Sequence, residues 1–95
     1  MLILKGNNEG GLIMNIPSAS QPLAGLEVIE LSNMITCSLA AMTMAAQGAA
    51  VIKVEPPVNG DQMRPLGTQK SGVSGFFHNC NRGKRSLAID LKSEA

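Results

Sequence analysis

The chain has 95 residues, eight basic and seven acidic side chains, and a formal net charge of +1. That length holds one small domain, and the near-balanced charge gives no general attraction to nucleic acid or to an anionic lipid surface. Phe76 and Phe77 are its only aromatic residues, too few to build the platforms on which single-stranded bases stack.

Cys37 and Cys80 lie far apart, with no CxxC pair and no histidine at ligand spacing. The expectation is two reduced thiols in a cytoplasmic protein, with no zinc site and no other metal. No charge occurs between Glu30 and Lys53, a span long enough to cross a bilayer. It is rich in Ala, Thr and Ser, poor in Leu and interrupted by Gln47-Gly48, so no membrane segment is expected. The first residues turn polar too soon for a signal peptide.

Residues 1–21 are rich in Gly, Asn and Ser and read as a flexible lead-in; residues 22–95 carry the organised part. Met14 precedes the polar, proline-containing run into the first expected strand. One hypothesis is that translation starts there, which a native peptide mapping to residues 2–13 would rule out. Val28-Ile29-Glu30-Leu31 suits a strand. Ser32-Asn33 can turn the chain and cap a helix, and Leu39 to Ala46 is rich in helix formers. Gly48 supplies the left-handed stop of a helix C-terminus. Ala50 to Val54 reads as a second strand, apolar enough to be buried on both faces, ended by Pro56-Pro57. A loop from Pro56 to Gly75 follows, then a helical turn at Phe76 to Cys80. The basic run Arg82-Gly83-Lys84-Arg85 leads to a third strand over Leu87 to Leu91. Lys92 to Ala95 reads as the opening of a further helix.

Strand, helix, strand with short turns is a βαβ unit with a right-handed crossover. The fold class is α/β: a Rossmann-like parallel start of a larger domain. It is incomplete as it stands, because a parallel sheet needs cover on both faces and one helix cannot cover three strands.

In such a sheet, ligands bind outside the carboxyl ends of the strands. Helix N-termini there present free amides to an anion, and Lys84, Arg85 and Lys92 would suit a phosphate-bearing ligand. Spacing alone puts a solvated or salt-bridged patch ahead of that reading for the basic run. Neither GxGxxG nor GxxxxGK[ST] is present. His78 has no partners that would identify a triad and reads as structural or surface. Cys37 reads as a packed thiol near a helix N-terminus, and Met34, Met42 and Met44 as core filler. Asp61 and Arg64 are close enough to pair within their loop.

Four blocks resemble family III CoA transferases, the CaiB/BaiF-type family that also includes acyl-CoA racemases. They are Pro22-Leu23-Ala24-Gly25-Leu26-Glu27-Val28-Ile29-Glu30-Leu31-Ser32, Gly48-Ala49-Ala50-Val51-Ile52-Lys53-Val54-Glu55-Pro56-Pro57, Gly60-Asp61-Gln62-Met63-Arg64, and Asn81-Arg82-Gly83-Lys84-Arg85-Ser86-Leu87-Ala88-Ile89-Asp90-Leu91-Lys92. The resemblance implies an enzyme that moves coenzyme A between carboxylic acids through an aspartyl-CoA intermediate, with acyl-CoA and acid substrates. It implies an interlocked homodimer at full length. The aspartate falls downstream of residue 95, so no catalytic residue is assigned here. The same resemblance places Met34, Ile35, Thr36, Pro56, Ile89, Asp90, Leu91 and Lys92 against coenzyme A, with Lys92 as a charged contact to its phosphate. Departures are Thr36-Cys37-Ser38, where the family has Ala-Gly-Pro, alanines at 46 and 50 where acidic residues are frequent, and Pro56 where a basic contact is possible. The loop over Pro56 to Gly75 favours transferase, whereas the spelling of residues 82–85 leans towards racemase. A truncated, non-catalytic remnant is the alternative from another class.

Overall fold

A computed structural model describes residues 1–6 and 21–94. The elements run β1 (Leu2–Gly6), β2 (Leu26–Glu30), α1 (Thr36–Ala46), β3 (Ala50–Glu55), β4 (Gln69–Lys70), β5 (Val73–Ser74), α2 (Gly75–Asn81) and β6 (Arg85–Ala88). Four strands form one sheet in the order β1-β2-β3-β6. β2, β3 and β6 are parallel, with Val28 beside Val51, Glu30 beside Lys53 and Lys53 beside Ser86. The class is mixed α/β around a parallel sheet, as expected.

The β2–α1–β3 unit follows from its sequence. α1 lays Ser38 and Ala41, both fully buried, on the sheet; these small side chains let helix and strands approach closely. Val28, Ala41, Ala49 and Val51 form the apolar core, with Leu2, Leu23, Leu26, Met44 and Ala45 packed around it. The helix ends as Gly48 predicts. Its φ is +101°, its amide donates to Ala45 O at 3.0 Å, and the Ala49 amide donates to Met44 O at 3.1 Å. Those paired bonds satisfy carbonyls the helix would otherwise leave open.

Several expectations change. The helix starts three residues earlier than its helix-forming run, at Thr36. Its cap position is Ile35, with no side-chain cap; Ser32 and Asn33 are instead engaged elsewhere. The segment from Pro56 to Gly75 contains the short hairpin β4–β5. Its turn, Ser71-Gly72, has φ values of +52° and +76°, the left-handed pair that suits the twist of a two-residue hairpin. The third strand is Arg85–Ala88 rather than Leu87 to Leu91, and Asp90 to Ser93 forms a turn closed by Ser93 N donating to Asp90 O at 3.2 Å. Met34 is 36 % exposed and fills no core gap.

The expected lead-in, residues 1–21, contains β1, which pairs antiparallel with β2 from Leu2–Glu30 to Gly6–Leu26; residues 7–20, with Met14, lie outside the described residues. A chain begun at Met14 would lack β1.

β3 is buried on one face only. Val51, Lys53 and Glu55 point beneath the helices, while Ile52 and Val54 are half-buried. On that second face Ile3, Ile29 and Leu87 are 43 %, 41 % and 45 % exposed. Both helices pack on the same side, so the other has no cover among the described residues.

Candidate functional site

The face under the helices carries charge where a core is normally apolar. In a strand, alternate residues share a face, so Glu30 points with Val28, and Lys53 and Glu55 point with Val51. Glu30, Lys53, Glu55 and Asp61 are all no more than 3 % exposed. A buried charge is tolerated only when paired and hydrogen-bonded, and these are.

Lys53 Nζ lies 2.7 Å from Glu30 Oε1 and 2.8 Å from Asp61 Oδ2, and donates to Ser38 Oγ at 3.0 Å. Lys84 Nζ lies 2.6 Å from Glu30 Oε2 and donates to Ser38 O at 2.7 Å and to Asn81 Oδ1 at 2.8 Å. Ser38 and Ser32 hydroxyls both donate to Glu30 Oε1. Glu30 Oε2 and Asp61 Oδ2 accept no well-angled hydrogen bond, yet each faces an ammonium at ion-pair distance. Two carboxylates and two ammoniums therefore balance to zero charge inside the fold.

Burial acts to raise the Glu30 carboxyl pKa, but Lys53, Lys84, Ser32 and Ser38 together pull it down to about 2. The two lysines diverge. Burial lowers Lys53, yet Asp61 and Glu30 outweigh it and the ammonium is held above its ordinary range. Lys84 has one carboxylate rather than two, and there burial wins, so its pKa falls.

A second cluster adjoins the first. Arg64 grips Glu55 through Nε and Nη2, each at 2.7 Å, and its guanidinium sits 4.0 Å over the Phe77 ring. Ser86 Oγ donates to Glu55 Oε1 at 2.8 Å and the Asp61 amide to Oε2 at 2.9 Å. The Arg64 fork, working against burial, lowers the Glu55 carboxyl to about 2.

Asp61 therefore pairs with Lys53, and Arg64 with Glu55, instead of with each other. Both partners lie on β3, two residues apart on its inward face, so one turn serves two positions of the same strand. Lys84 has a side chain only 2 % exposed, which removes it from a phosphate-facing surface and makes it the salt-bridged member of its basic run. Cys37 and Cys80 are both free thiols.

Above these clusters, the carboxyl ends of β2, β3 and β6 lie at one sheet edge, as parallel register requires. Met34, Ile35 and Thr36 follow β2, and all three are exposed. Met34 has φ +66°. Its amide donates to Asn33 Oδ1 at 3.1 Å and to Asp61 Oδ1 at 3.2 Å. Pro56 follows β3 and borders an open depression with Asn59, Gly60, Arg64 and Ala88. Ile89 is tied to the same strand end, its amide donating to Glu55 O at 3.0 Å. Asp90 Oδ1 accepts from the Lys92 amide at 2.9 Å, leaving Leu91 and the Lys92 side chain exposed. No described helix is long and apolar enough to cross a membrane.

The family sequence model for CoA-transferase family III matches residues 23–95. The chain belongs to CoA-transferase family III. This family III chain is 37 % identical over 86 residues to the succinate–glutarate CoA-transferase of Agrobacterium fabrum, covering 83 % of the chain and 22 % of that protein. It is 37 % identical over 73 residues to the acetyl-CoA:oxalate CoA-transferase of Acetobacter aceti, with 77 % and 19 % covered. The human succinyl-CoA:glutarate CoA-transferase is 36 % identical over 73 residues, with 76 % and 17 % covered. A crystal structure of a CaiB/BaiF family protein from Brucella suis superposes with a TM-score of 0.70 at 41 % identity, over 77 % of this chain and 20 % of that one. The family III chain thus spans about a fifth of the length of these relatives.

The four signature blocks acquire a physical meaning. Glu30, Lys53, Asp61, Arg64 and Lys84 come one or two from each block, and all serve the buried clusters. Sequence reasoning missed that role. The available signal was a lysine and two glutamates at the inward parity of otherwise apolar strands.

Proposed function

We propose that the chain forms the N-terminal part of an enzyme that transfers coenzyme A between carboxylic acids, and that it supplies one wall of the coenzyme A site. The observation carrying this is the convergence of three loops at one carboxyl edge. The turn after β2, Pro56 after β3 and residues 89–92 after β6 all open to the same side, where ligands of parallel α/β sheets bind. Every one of the three relatives described above is named as a CoA-transferase, which favours transfer over racemisation.

In this reading Met34, Ile35 and Thr36 line the ligand beside the N-terminus of α1, Pro56 and Ile89 to Leu91 pack against it, and Lys92 meets a phosphate. The reacting aspartate belongs to the remaining length of the family fold. Its carboxylate oxygen attacks the thioester carbonyl carbon, the carbon–sulfur bond breaks, and the thiolate of coenzyme A leaves. That thiolate then attacks the aspartyl carbonyl of the resulting anhydride, releasing the donor acid as its carboxylate and leaving aspartyl-CoA. The full-length assembly is a cytoplasmic homodimer in the same reading.

Titrating the ¹⁵N-labelled 95-residue chain with coenzyme A tests the wall directly. Amide shifts at Met34 to Thr36 and Ile89 to Lys92 are expected, with Lys92→Ala weakening binding most at low salt. Shifts confined to other segments, or none, would refute the assignment.

A further inference from the structure

Asp61 spends its two carboxylate oxygens on different tasks. Oδ2 holds the buried Lys53 ammonium at 2.8 Å. Oδ1 accepts from the Met63 amide at 2.8 Å and from the Met34 amide at 3.2 Å. The Met63 bond closes its own turn, whereas the Met34 bond crosses to the loop after β2. Asn33 makes the reciprocal crossing, its Oδ1 accepting from the Gln62 amide at 2.9 Å. Two loops more than 25 residues apart in sequence are thereby pinned to each other, and through Asp61 to a lysine that is 1 % exposed.

The pinned residue is in an unusual conformation. Met34 has φ +66°, a region that a residue with a Cβ adopts reluctantly. Such a conformation persists only when its surroundings over-determine it. Here the surroundings are two side-chain acceptors on one amide, one of them anchored in the fold's interior.

We propose that Asp61 is a positioning residue for coenzyme A. It fixes the left-handed turn at Met34, so that Met34, Ile35 and Thr36 are held in the ligand-facing arrangement before the ligand arrives. The inference rests on the reading of that turn as a coenzyme A contact. Preorganisation of this kind raises affinity by removing the ordering cost from the binding step.

Two variants test it in the full chain. Asp61→Asn preserves shape, but an amide has a single acceptor oxygen. It cannot serve Lys53 and the two amides together, so one side meets a donor. Asn33→Ala cuts the exposed crossing without touching the buried charges, and keeps the test informative if Asp61→Asn folds poorly. The readouts are hydrogen exchange at individual amides and coenzyme A affinity by titration.

Both variants should speed exchange at Met34, and Asn33→Ala should leave Val28 and Val51 unchanged. Each should weaken coenzyme A by about tenfold, the effect of losing roughly one hydrogen bond. Affinity within about twofold of the native chain in both variants overturns the proposal. So does a rise in exchange spread evenly over β2 and β3 in Asn33→Ala, which marks a purely structural role. If the native chain shows no coenzyme A response, the function reading fails on its own. Selective exchange at Met34 would then sustain the clamp, and unchanged exchange would remove it.

Discussion

Replacing Lys53 with methionine keeps most of the side-chain volume and deletes one buried charge. Glu30 retains Lys84 at 2.6 Å, so the group left exposed to the loss is Asp61, whose ammonium partner at 2.8 Å disappears. Removing one partner of a buried ion pair costs about 3–5 kcal/mol. A chain of this size has a total stability of roughly 5–14 kcal/mol, so Lys53→Met should lose between about a fifth and all of it. Urea denaturation followed by far-ultraviolet circular dichroism reads the difference as a fall in midpoint at unchanged slope. The double variant Lys53→Met/Asp61→Asn leaves Glu30 and Lys84 as a balanced pair, and should recover at least about 1 kcal/mol of the loss through the coupling between the two sites. A single variant within about 1 kcal/mol of the native chain would falsify the network as a stability determinant. A double variant no better than the single would place the loss in packing rather than in stranded charge.

Two further outcomes follow from the same geometry. Glu30 and Glu55 have folded pKa values of about 2 against 4.5 for the free group. A carboxyl depressed on folding stabilises fully above its unfolded value and loses that contribution as pH falls through the folded one. Each adds stability that is complete above about pH 4.5 and is lost as pH falls towards about 2. Thermal midpoints should therefore fall steeply between pH 4.5 and about 2, with a shallower limb in Glu55→Gln; a flat profile over that window contradicts the assignment. Gly48→Ala places a Cβ 2.5 Å from Gln21 Cβ at φ +101°, whereas Gly72→Ala at φ +76° meets nothing. Both carry backbone strain of about 1 kcal/mol, and the first should lose about 1–2 kcal/mol more. Equal melting temperatures would show that Gln21 yields freely.

The βαβ frame was legible because its signals are local. An apolar run, a stretch of helix formers and Gly48 lie within a few residues of the structures they specify. The hairpin at Ser71-Gly72 was equally local, and its turn dipeptide was the signal that the long-loop reading passed over. β1 was obscured by the glycine-rich stretch that follows it, which dominates the composition of residues 1–21. The charge network was hidden for a different reason. Lys84 meets Glu30 across 54 positions, and Lys53 meets Glu30 across 23. No periodicity reports a partner at that distance. Parity along a strand does report that a charge faces inward, and from Lys53 beside Val51 the need for a buried partner follows, though not its identity. The resemblance identified the right blocks while directing attention to ligand contacts. The structure assigns Lys53, Asp61, Arg64 and Lys84 of those blocks to holding the loops in place.

The inward charges also reverse the usual expectation for mutational tolerance. In most small domains a charged position accepts nearly any polar residue and an apolar strand position accepts few. Here Glu30, Lys53 and Asp61 are 0 %, 1 % and 2 % exposed, while Ile29 and Leu87 are 41 % and 45 % exposed. Random variants of this chain should therefore be depleted at the charged members of its signature, where even lysine-to-arginine changes geometry and donor count. They should be permissive at isoleucines and leucines of the open face.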